Sequence, residues 1–578
     1  MGVLANSISG GAWFPYPDQR PEFVIPEKYL ASSVRLDNNV TKTEDGPLKP
    51  SLSMDQPVTS QLPGTDENTR ADYSTPNAGK FEKFPPGAAE DDLQAHAGGH
   101  NITSDEARLE GIILVDWYSE DDPENPQNWS TYKKALVVFE ICLLNVAVYI
   151  GAAIYTPSIP YIGEVFGVSN VVATLGLSLF VEGYALGPMV FSPLQEIPSL
   201  GRNPGYIVTL AMFVIIQIPA ALSTNIGGLL VIRFLSGFFG SPALATGGGT
   251  IADMYSPMYF PYTIGLWSGA GFLGPTLGPV VGGFAAAKEN WRWPLWELAW
   301  ISGFTAIFLA FLLPETLHGT ILLKRARRLR KLTGNDKLRS LSEIEQAEMR
   351  PSEVAKTYLI RPFQLMLEPS VLFINIYFAL VYAVFYLWFE SFPLVFTGIY
   401  GFEGGIGGLP FLSLIVGVIF SYTFYAWYNM SYLHPRFIHK FLSSPPPEEY
   451  LRLSCFAGIF IPVSLFIFGW GSRPSVHWIV PTIGAGLYVP GIFLLLQSAA
   501  MYLAISYSRY TASIFAGNAL FRSSLAASFP LFGKTFYDRL GLGGGSSLLA
   551  GISILMIPLM CALFLYGSRL RALSKYAQ

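Results

Sequence analysis

Three ionisable side chains stand inside long apolar stretches, where a charge is costly unless it is paired or reached by water. Glu182, Arg233 and Arg522 each lie in a different stretch. A carboxylate in a low-dielectric cavity exchanges its proton closer to neutral pH than one in water, and a neighbouring cation would make that exchange depend on conformation. Glu182 and Arg233 are therefore candidates for proton coupling or gating. The alternative is a buried ion pair that only holds two helices together.

A further apolar stretch carries aromatic side chains at helical spacing. The stripe consists of Phe378, Tyr382, Phe385 and Phe389, with Tyr386 beside it. Such a stripe either packs against neighbouring helices or forms the wall of a pocket that accepts flat, apolar or cationic molecules by stacking and cation–π contact. Polar residues of other stretches are candidates to bind the same molecule, namely Asn145, Tyr149, Gln497, Asn518 and Arg522.

Glycine and proline recur at fixed spacing in another stretch. The set comprises Gly265, Gly274, Gly278, Pro279, Gly282 and Gly283. Glycines at helical spacing let two helix backbones approach closely, and Pro279 removes a backbone hydrogen bond and kinks the helix. The pattern predicts a specialised packing face, against the alternative of generic close packing.

Membrane helices must position these residues. The chain is 51% hydrophobic and only 13% charged, whereas soluble proteins carry about 25% charged residues. Apolar stretches of about 18–25 residues, long enough to cross a bilayer, recur from Lys134 onward. The fold class is therefore an all-α polytopic membrane protein with twelve transmembrane helices in two six-helix halves. The predicted spans are 134–156, 171–193, 204–222, 227–249, 262–284, 293–314, 371–394, 407–429, 453–470, 479–503, 511–533 and 545–567.

Basic residues predict the orientation of these spans. The connection between spans six and seven carries six of them within eight residues, from Lys324 to Lys331. Basic loops favour the cytoplasmic side, so this loop and both termini are predicted to be cytoplasmic. The predicted regions are a disordered acidic tail (1–115), an N-terminal half (116–314), a basic central loop (315–370), a C-terminal half (371–567) and a C-terminal tail (568–578).

Composition and motifs argue against several classes of protein. The predicted tail holds 9 Lys/Arg and 17 Asp/Glu, a composition typical of disorder. The sequence has no phosphate-binding Gly-x-x-x-x-Gly-Lys-Ser/Thr loop and no clustered metal ligands or catalytic set. We therefore predict no enzyme activity, no cofactor, no metal and no nucleic-acid partner.

The glycine pattern resembles the antiporter signature of the Major Facilitator Superfamily. Arg233 and Gly237 resemble the family's Arg-x-x-x-Gly element, and Asp253 follows in the same region. The segment from Glu196 to Arg202 resembles the signature cytoplasmic loop, although Ile197 and Asn203 replace its usual basic residues. The resemblance implies a role in proton coupling or gating for Glu196, Arg202 and Asp253. Further similarity to fungal twelve-span drug:proton antiporters of the benomyl- and methotrexate-resistance type lies in three segments, 125–130, 314–316 and 392–393.

The resemblance implies two six-helix halves around a central cavity that opens alternately to each side. It implies proton-driven export of hydrophobic drugs, fungicides or toxic metabolites across a fungal plasma membrane. Expected partners are small hydrophobic or cationic molecules, protons and membrane lipids, and the chain is expected to be a monomer. The alternatives are an importer or facilitator of a nutrient or polyamine, and a membrane sensor that signals through the tail.

Overall fold

The computed structural model of the protein describes residues 112–256, 258–348, 360–435, 446–507, 510–574 and 576–577. Nearly all of the predicted tail and part of the central loop lie outside these ranges. Two short strands are β1 (Ile113–Leu114) and β2 (Leu338–Arg339). The α-helices are α1 (Thr131–Ala153), α2 (Ile159–Phe166), α3 (Asn170–Glu196), α4 (Arg202–Ala221), α5 (Ile226–Ala245), α6 (Gly247–Met254), α7 (Phe260–Lys288), α8 (Trp293–Leu312), α9 (His318–Thr333), α10 (Leu341–Glu348), α11 (Pro369–Phe392), α12 (Leu412–Tyr428), α13 (Glu448–Ala457), α14 (Phe460–Gly471), α15 (Ile479–Ser506) and α16 (Thr511–Leu573).

Eleven helical stretches in these ranges are long and apolar enough to cross a membrane. The last, Ser513–Ala572, has 60 residues, which at 1.5 Å per residue is about 90 Å and about three times the hydrocarbon core. Gly541 interrupts its helical geometry with a φ of 71°, and each arm on either side of Gly541 is long enough for one crossing. The polytopic all-α class is confirmed, while the count of twelve, which requires two crossings by α16, stays a prediction.

Local signals in the sequence start and stop several of these helices. The side chains of Ser130, Ser169 and Asn225 accept hydrogen bonds from backbone N–H groups in the first turns of α1, α3 and α5. These bonds satisfy donors that a helix start leaves without an internal partner. Gly334 ends α9 in the left-handed conformation, with a φ of 66°, which glycine adopts without strain.

The predicted boundary of the tail at residue 115 is corrected by the structure. Strand β1 pairs in parallel with β2, so that Ile113 lies opposite Leu338 and Leu114 opposite Arg339. Val115 is buried against α9. The predicted central loop is also structured in part, since it contains α9, β2 and α10. Two segments far apart in sequence thus form one small layer outside the predicted spans, a long-range pairing that local sequence patterns do not reveal.

The two halves meet where α3 packs against α16 and where α7 packs against α12 and against residues Gly404–Phe411. Within the N-terminal half, α3 and α5 cross at glycines. A Cβ atom at Gly183 would collide with the backbone of Phe234 and Phe238, and one at Gly237 with the carbonyl of Phe180. Lipid tails are as apolar as leucine, so close backbone packing rather than the hydrophobic effect holds such helices together.

We predict that Gly237→Ala destabilises the protein, because overpacking a tight contact costs about 1–3 kcal/mol. Gly551→Ala is the matched control, since a Cβ there meets nothing within 4 Å. Both changes raise helix propensity equally, so the difference between the stabilities of the two variants reports the packing at Gly237 alone. The measurement is the midpoint of thermal unfolding of the detergent-purified variants. Equal midpoints would show that the α3–α5 crossing tolerates a larger separation.

Candidate functional site

A cluster of tyrosines joins the two halves in the middle of the membrane region. The hydroxyl of Tyr184 on α3 lies 2.8 Å from that of Tyr386 and 3.3 Å from that of Tyr382, both on α11. All three side chains are buried. Tyr184 was not among the residues singled out from the sequence, because a lone tyrosine in an apolar helix carries no signal of its own.

Arg522 on α16 lies against this tyrosine cluster. Its guanidinium carbon is 4.6 Å from the centroid of the Tyr382 ring, and its buried Nε has no hydrogen-bond partner among the described residues. Tyr149 lies close to both Arg522 and Tyr382, and its ring is 6.0 Å from that of Tyr184. The guanidinium group of Arg522 therefore lies over one aromatic ring, and its Nε–H has no acceptor among the described residues.

Glu182 lies on α3, two residues before Tyr184, and is half-buried. Its Oε1 accepts a hydrogen bond of 3.0 Å from the hydroxyl of Ser524 on α16. This bond crosses from the N-terminal half to the C-terminal half. Glu182 and Arg522 thus occupy the same interface, with opposite charges, and no salt bridge between them occurs within the described ranges.

Arg233, the predicted partner of Glu182, has different contacts. Its side chain is fully buried, donates 2.7 Å and 3.1 Å hydrogen bonds to the carbonyls of Gly151 and Gly176, and lies over the rings of Phe180 and Tyr155. Its described partners do not include Glu182. Arg233 instead connects α1, α3 and α5 through backbone carbonyls, an arrangement that differs from the ion pair with Glu182 considered as its structural alternative.

The predicted aromatic stripe packs tightly in this conformation. Phe378, Tyr382, Phe385 and Phe389 are each 3–5% exposed. Phe385 meets the ring of Phe272 on α7 at 5.7 Å, which supports the packing alternative for the state described here. A pocket that forms when the halves separate would expose the same rings.

The predicted polar contributors are dispersed around this cluster. Asn518 donates a 2.7 Å hydrogen bond to Asn375 across α16 and α11. Asn145 donates to the carbonyl of Trp267 at 3.1 Å, while its buried Oδ1 has no partner in the part of the chain that the structure describes. Gln497 is buried on α15. The structure therefore brings Tyr149 and Arg522 to the tyrosines, whereas Asn145 and Asn518 form hydrogen bonds to Trp267 and Asn375.

The glycine pattern lines the contact between α7 and α1. A Cβ atom at Gly274 would lie 2.7 Å from the backbone nitrogen of Ile150, and one at Gly278 2.7 Å from that of Ile154. A Cβ at Gly282 would collide with the carbonyl of Ile154. Three positions one helical turn apart are thus closed to any side chain larger than hydrogen.

The opposite face of α7 contacts the C-terminal half. Gly283 faces the Cα of Gly405, and Gly265 faces the rings of Tyr422 and Tyr425. A Cβ atom at Gly408 would lie 2.6 Å from the carbonyl of Pro279. Helix α7 is therefore packed between the two halves along its length, as a specialised packing face requires.

A second polar site, which we call the inner charge cluster, lies at the predicted cytoplasmic end of the N-terminal half and contains Arg202, Asp253 and Glu315. The Nε of Arg202 lies 2.7 Å from Oδ2 of Asp253, and Thr316 donates to the same oxygen at 3.1 Å. Glu196 is close enough to interact electrostatically with Arg202 and Asp253. The structure therefore brings together Glu196, Arg202 and Asp253, three residues that the family resemblance made candidates for coupling or gating.

Glu315 is the member of this cluster that sequence reasoning did not assign to the site. Its carboxylate accepts hydrogen bonds from the backbone N–H groups of Arg202, Asn203, Thr316 and Leu317. Gly201 precedes α4 with a φ of 81°, and a Cβ there would collide with this carboxylate. The signal available in the sequence was a carboxylate immediately after an apolar span, next to the glycine–arginine pair that starts α4.

Comparison with known proteins decides what kind of molecule carries these two sites. The family model described as Major Facilitator Superfamily matches residues 141–530. The chain belongs to the Major Facilitator Superfamily. The similarity is also seen in structure, where a peptide transporter with bound sulfate aligns with a TM-score of 0.53 at 13% identity, over 75% of this chain and 95% of that chain.

Curated relatives narrow the position of the chain within the superfamily. The "Cycloheximide resistance protein" of Candida maltosa is 38% identical over 100% of this chain and 98% of its own length. The "Fluconazole resistance protein 1" of Saccharomyces cerevisiae is 44% identical over 80% of this chain and 85% of its own length. Both match the drug:proton antiporter branch of the superfamily that the sequence motifs resemble.

We predict that Arg233→Leu lowers the abundance of the folded transporter, because it removes two buried hydrogen bonds to backbone carbonyls and empties a cation site between aromatic rings. Each hydrogen bond from a charged group contributes about 1.5–3 kcal/mol. Arg327→Leu, on the exposed side of α9, is the control. Abundance and monodispersity are measured by size-exclusion chromatography of a fluorescent fusion. Normal abundance of Arg233→Leu together with lost transport would instead favour a role for Arg233 in coupling.

Proposed function

We propose that this member of the superfamily is a proton-coupled efflux transporter, which exports hydrophobic drugs, fungicides or toxic secondary metabolites by alternating access. The proposal places it in the plasma membrane, with twelve crossings and both termini in the cytoplasm. The observation that carries it is the interface between the halves, where Glu182 and Arg522 sit beside three buried tyrosines. The names of the drug-resistance relatives support the substrate class.

In this mechanism Glu182 carries the proton. When ionised, its carboxylate accepts the hydrogen bond from Ser524, and hydrogen bonds to a charged acceptor are about twice as strong as neutral ones. Protonation removes the charge and weakens this link between α3 and α16. Proton binding and release at Glu182 therefore change the free-energy difference between the closed interface and an open one.

Arg522 and the tyrosines provide the substrate surface in the same mechanism. A flat, apolar molecule that enters between α3 and α11 would stack on the Tyr382 and Tyr386 rings and displace Arg522 from the Tyr382 face. A cationic molecule would be attracted by Glu182 once its proton has left. Stacking on aromatic faces depends little on the exact shape of a ligand, which fits export of chemically varied compounds.

Helix α7 keeps the pathway closed to passive leakage in this proposal. Its glycines allow no gap against α1, and its kinked segment at Pro279 meets Gly408 of the other half. Exchange of proton for drug requires that neither crosses without the other. A helix packed tightly against both halves supplies that seal.

We predict that expression in a pump-deficient yeast lowers the accumulation of at least one apolar fungicide, and that a protonophore abolishes the effect. The physical reason is that the proton gradient is the proposed driving force. Intracellular fungicide is measured with and without the protonophore. Efflux that survives the protonophore but stops on ATP depletion would contradict the proposal, and protonophore-sensitive accumulation of the compound would favour the importer alternative.

We predict that Glu182→Gln abolishes proton-driven efflux at normal abundance, because the amide keeps a hydrogen bond to Ser524 but cannot exchange a proton. Drug binding should be retained. Ser524→Ala tests the link itself: it removes the same hydrogen bond and leaves the carboxylate, so it should lower efflux. Ser528→Ala is the matched control, at an exposed serine one turn later on α16, and should leave efflux unchanged. Efflux and drug binding are measured in reconstituted vesicles across a range of pH. Full efflux by Glu182→Gln would remove Glu182 from the mechanism.

A further inference from the structure

The segment just before α1 is fastened to α9 by a buried ion cluster, and we call residues 112–128 the clasp. Arg325 on α9 is fully buried, as is Asp122. Its Nη1 lies 2.7 Å from Oδ2 of Asp122, and its Nη2 lies 2.5 Å from Oε2 of Glu124. Arg328 adds a 2.8 Å contact to the same Glu124. These bonds satisfy a guanidinium that would otherwise be very costly to bury.

Aromatic and backbone contacts complete this fastening. The rings of Trp117 and Tyr118 lie 5.2 Å and 4.0 Å from the guanidinium carbon of Arg325. The parallel pairing of β1 with β2 binds the backbone of the clasp to the strand that follows α9. The clasp therefore has a defined position on α9, set by charge, ring contacts and backbone hydrogen bonds together.

The Asp122 carboxylate of the clasp is stabilised in its ionised form. Burial alone would raise the pKa of Asp122, but hydrogen bonds from Arg325 and from the N–H groups of Tyr118 and Glu124 lower it below its ordinary value. A carboxyl group with a lowered pKa stabilises the folded state above about pH 4, the ordinary aspartate value, and this contribution is lost as the pH falls through the lowered pKa. The pair of Asp122 with Arg325 thus stays charged near neutral pH.

Contacts lead from the clasp to the inner charge cluster. The ring of Trp117 meets that of His318, the first residue of α9, edge-on at 5.7 Å. The Nε2 of His318 lies 3.0 Å from the backbone carbonyl of Asp253, the residue that binds Arg202. Glu315 and Thr316, which hold the other side of that cluster, lie immediately before α9. The clasp is thus connected to the inner charge cluster through Trp117 and His318, whose rings are in contact.

We propose that the clasp positions the inner charge cluster and so sets how readily the cytoplasmic side of the transporter opens. Arg325 is then a positioning residue, which acts through Trp117 and His318 on Asp253 without contacting substrate or proton. The consequence is that a segment outside the membrane takes part in the transport cycle. This inference goes beyond the proposed efflux function and does not depend on which substrate is carried.

The test follows the opening of the cytoplasmic side directly. In a full-length background with Cys142, Cys455 and Cys561 replaced by serine, spin labels are placed at Ser199→Cys and Ser431→Cys, two exposed positions in the α3–α4 connection and after α12. Distances between the labels are measured by double electron–electron resonance in reconstituted protein without substrate. Two variants of the labelled protein, Arg325→Gln and His318→Ala, are compared with the labelled parent.

We expect both variants to shift the ratio of open to closed populations by about fivefold or more, the lower end of typical coupling between sites. His318→Ala leaves the buried ion cluster intact, so it should do this at normal abundance even if Arg325→Gln folds poorly. Arg330→Gln is the matched control, since Arg330 lies on the same helix and pairs with Glu343 at 3.0 Å away from Asp253. It should leave the ratio unchanged.

Two results would overturn the proposal. One is an unchanged population ratio in His318→Ala at normal abundance, because the clasp would then serve stability alone. The other is an equal shift in Arg330→Gln, because the effect would then belong to α9 as a whole. The labels report opening in the absence of drug and of a proton gradient. Either result can therefore be interpreted even if the efflux proposal fails.

Discussion

Close packing of helix α7 against both halves is the constraint on which the rest of the structure depends. Three glycines one turn apart bring its backbone against α1, and Gly265, Pro279 and Gly283 contact the C-terminal half from the other side. In lipid, where apolar surface gains little by being covered, such contacts supply the packing energy between helices. The position of α7 fixes the distance between the halves, and with it the space left for the tyrosine cluster.

Charged residues in this protein fall into two kinds according to where their partners lie. Arg233 and Arg325 are fully buried, and backbone carbonyls or carboxylates bind them within the half or layer to which they belong. Glu182 and Arg522 lie between the halves, and their contacts with Ser524 and Tyr382 depend on how the helices of the interface are arranged. Charges of the first kind hold one half or layer together, whereas charges of the second kind must change partners when the halves separate.

Much of the membrane architecture could be predicted from the sequence, because length and apolarity are local properties. The glycine pattern indicated the packing face of α7, and a family resemblance made Glu196, Arg202 and Asp253 candidates for coupling or gating. The sequence could not show that Arg233 binds backbone carbonyls and Glu182 binds Ser524, since two charges in separate helices can each find a nearer partner. The clasp was missed for the same reason. Asp122 and Arg325 are about two hundred positions apart, and neither carries a local signal of the other.

The hydroxyl pairs between Tyr184 and its two partners on α11 have a consequence for speed. Each bond is neutral, either oxygen can donate, and each contributes only about 0.5–1.5 kcal/mol. Breaking both therefore raises the free energy by a few multiples of thermal energy, which leaves the separated state within reach on the microsecond-to-millisecond scale of domain motions. A salt bridge at this point would stabilise the closed interface more strongly and would slow the cycle. The tyrosines thus let the interface re-form in the same register after each passage, at a rate set by helix movement rather than by the breaking of a strong bond.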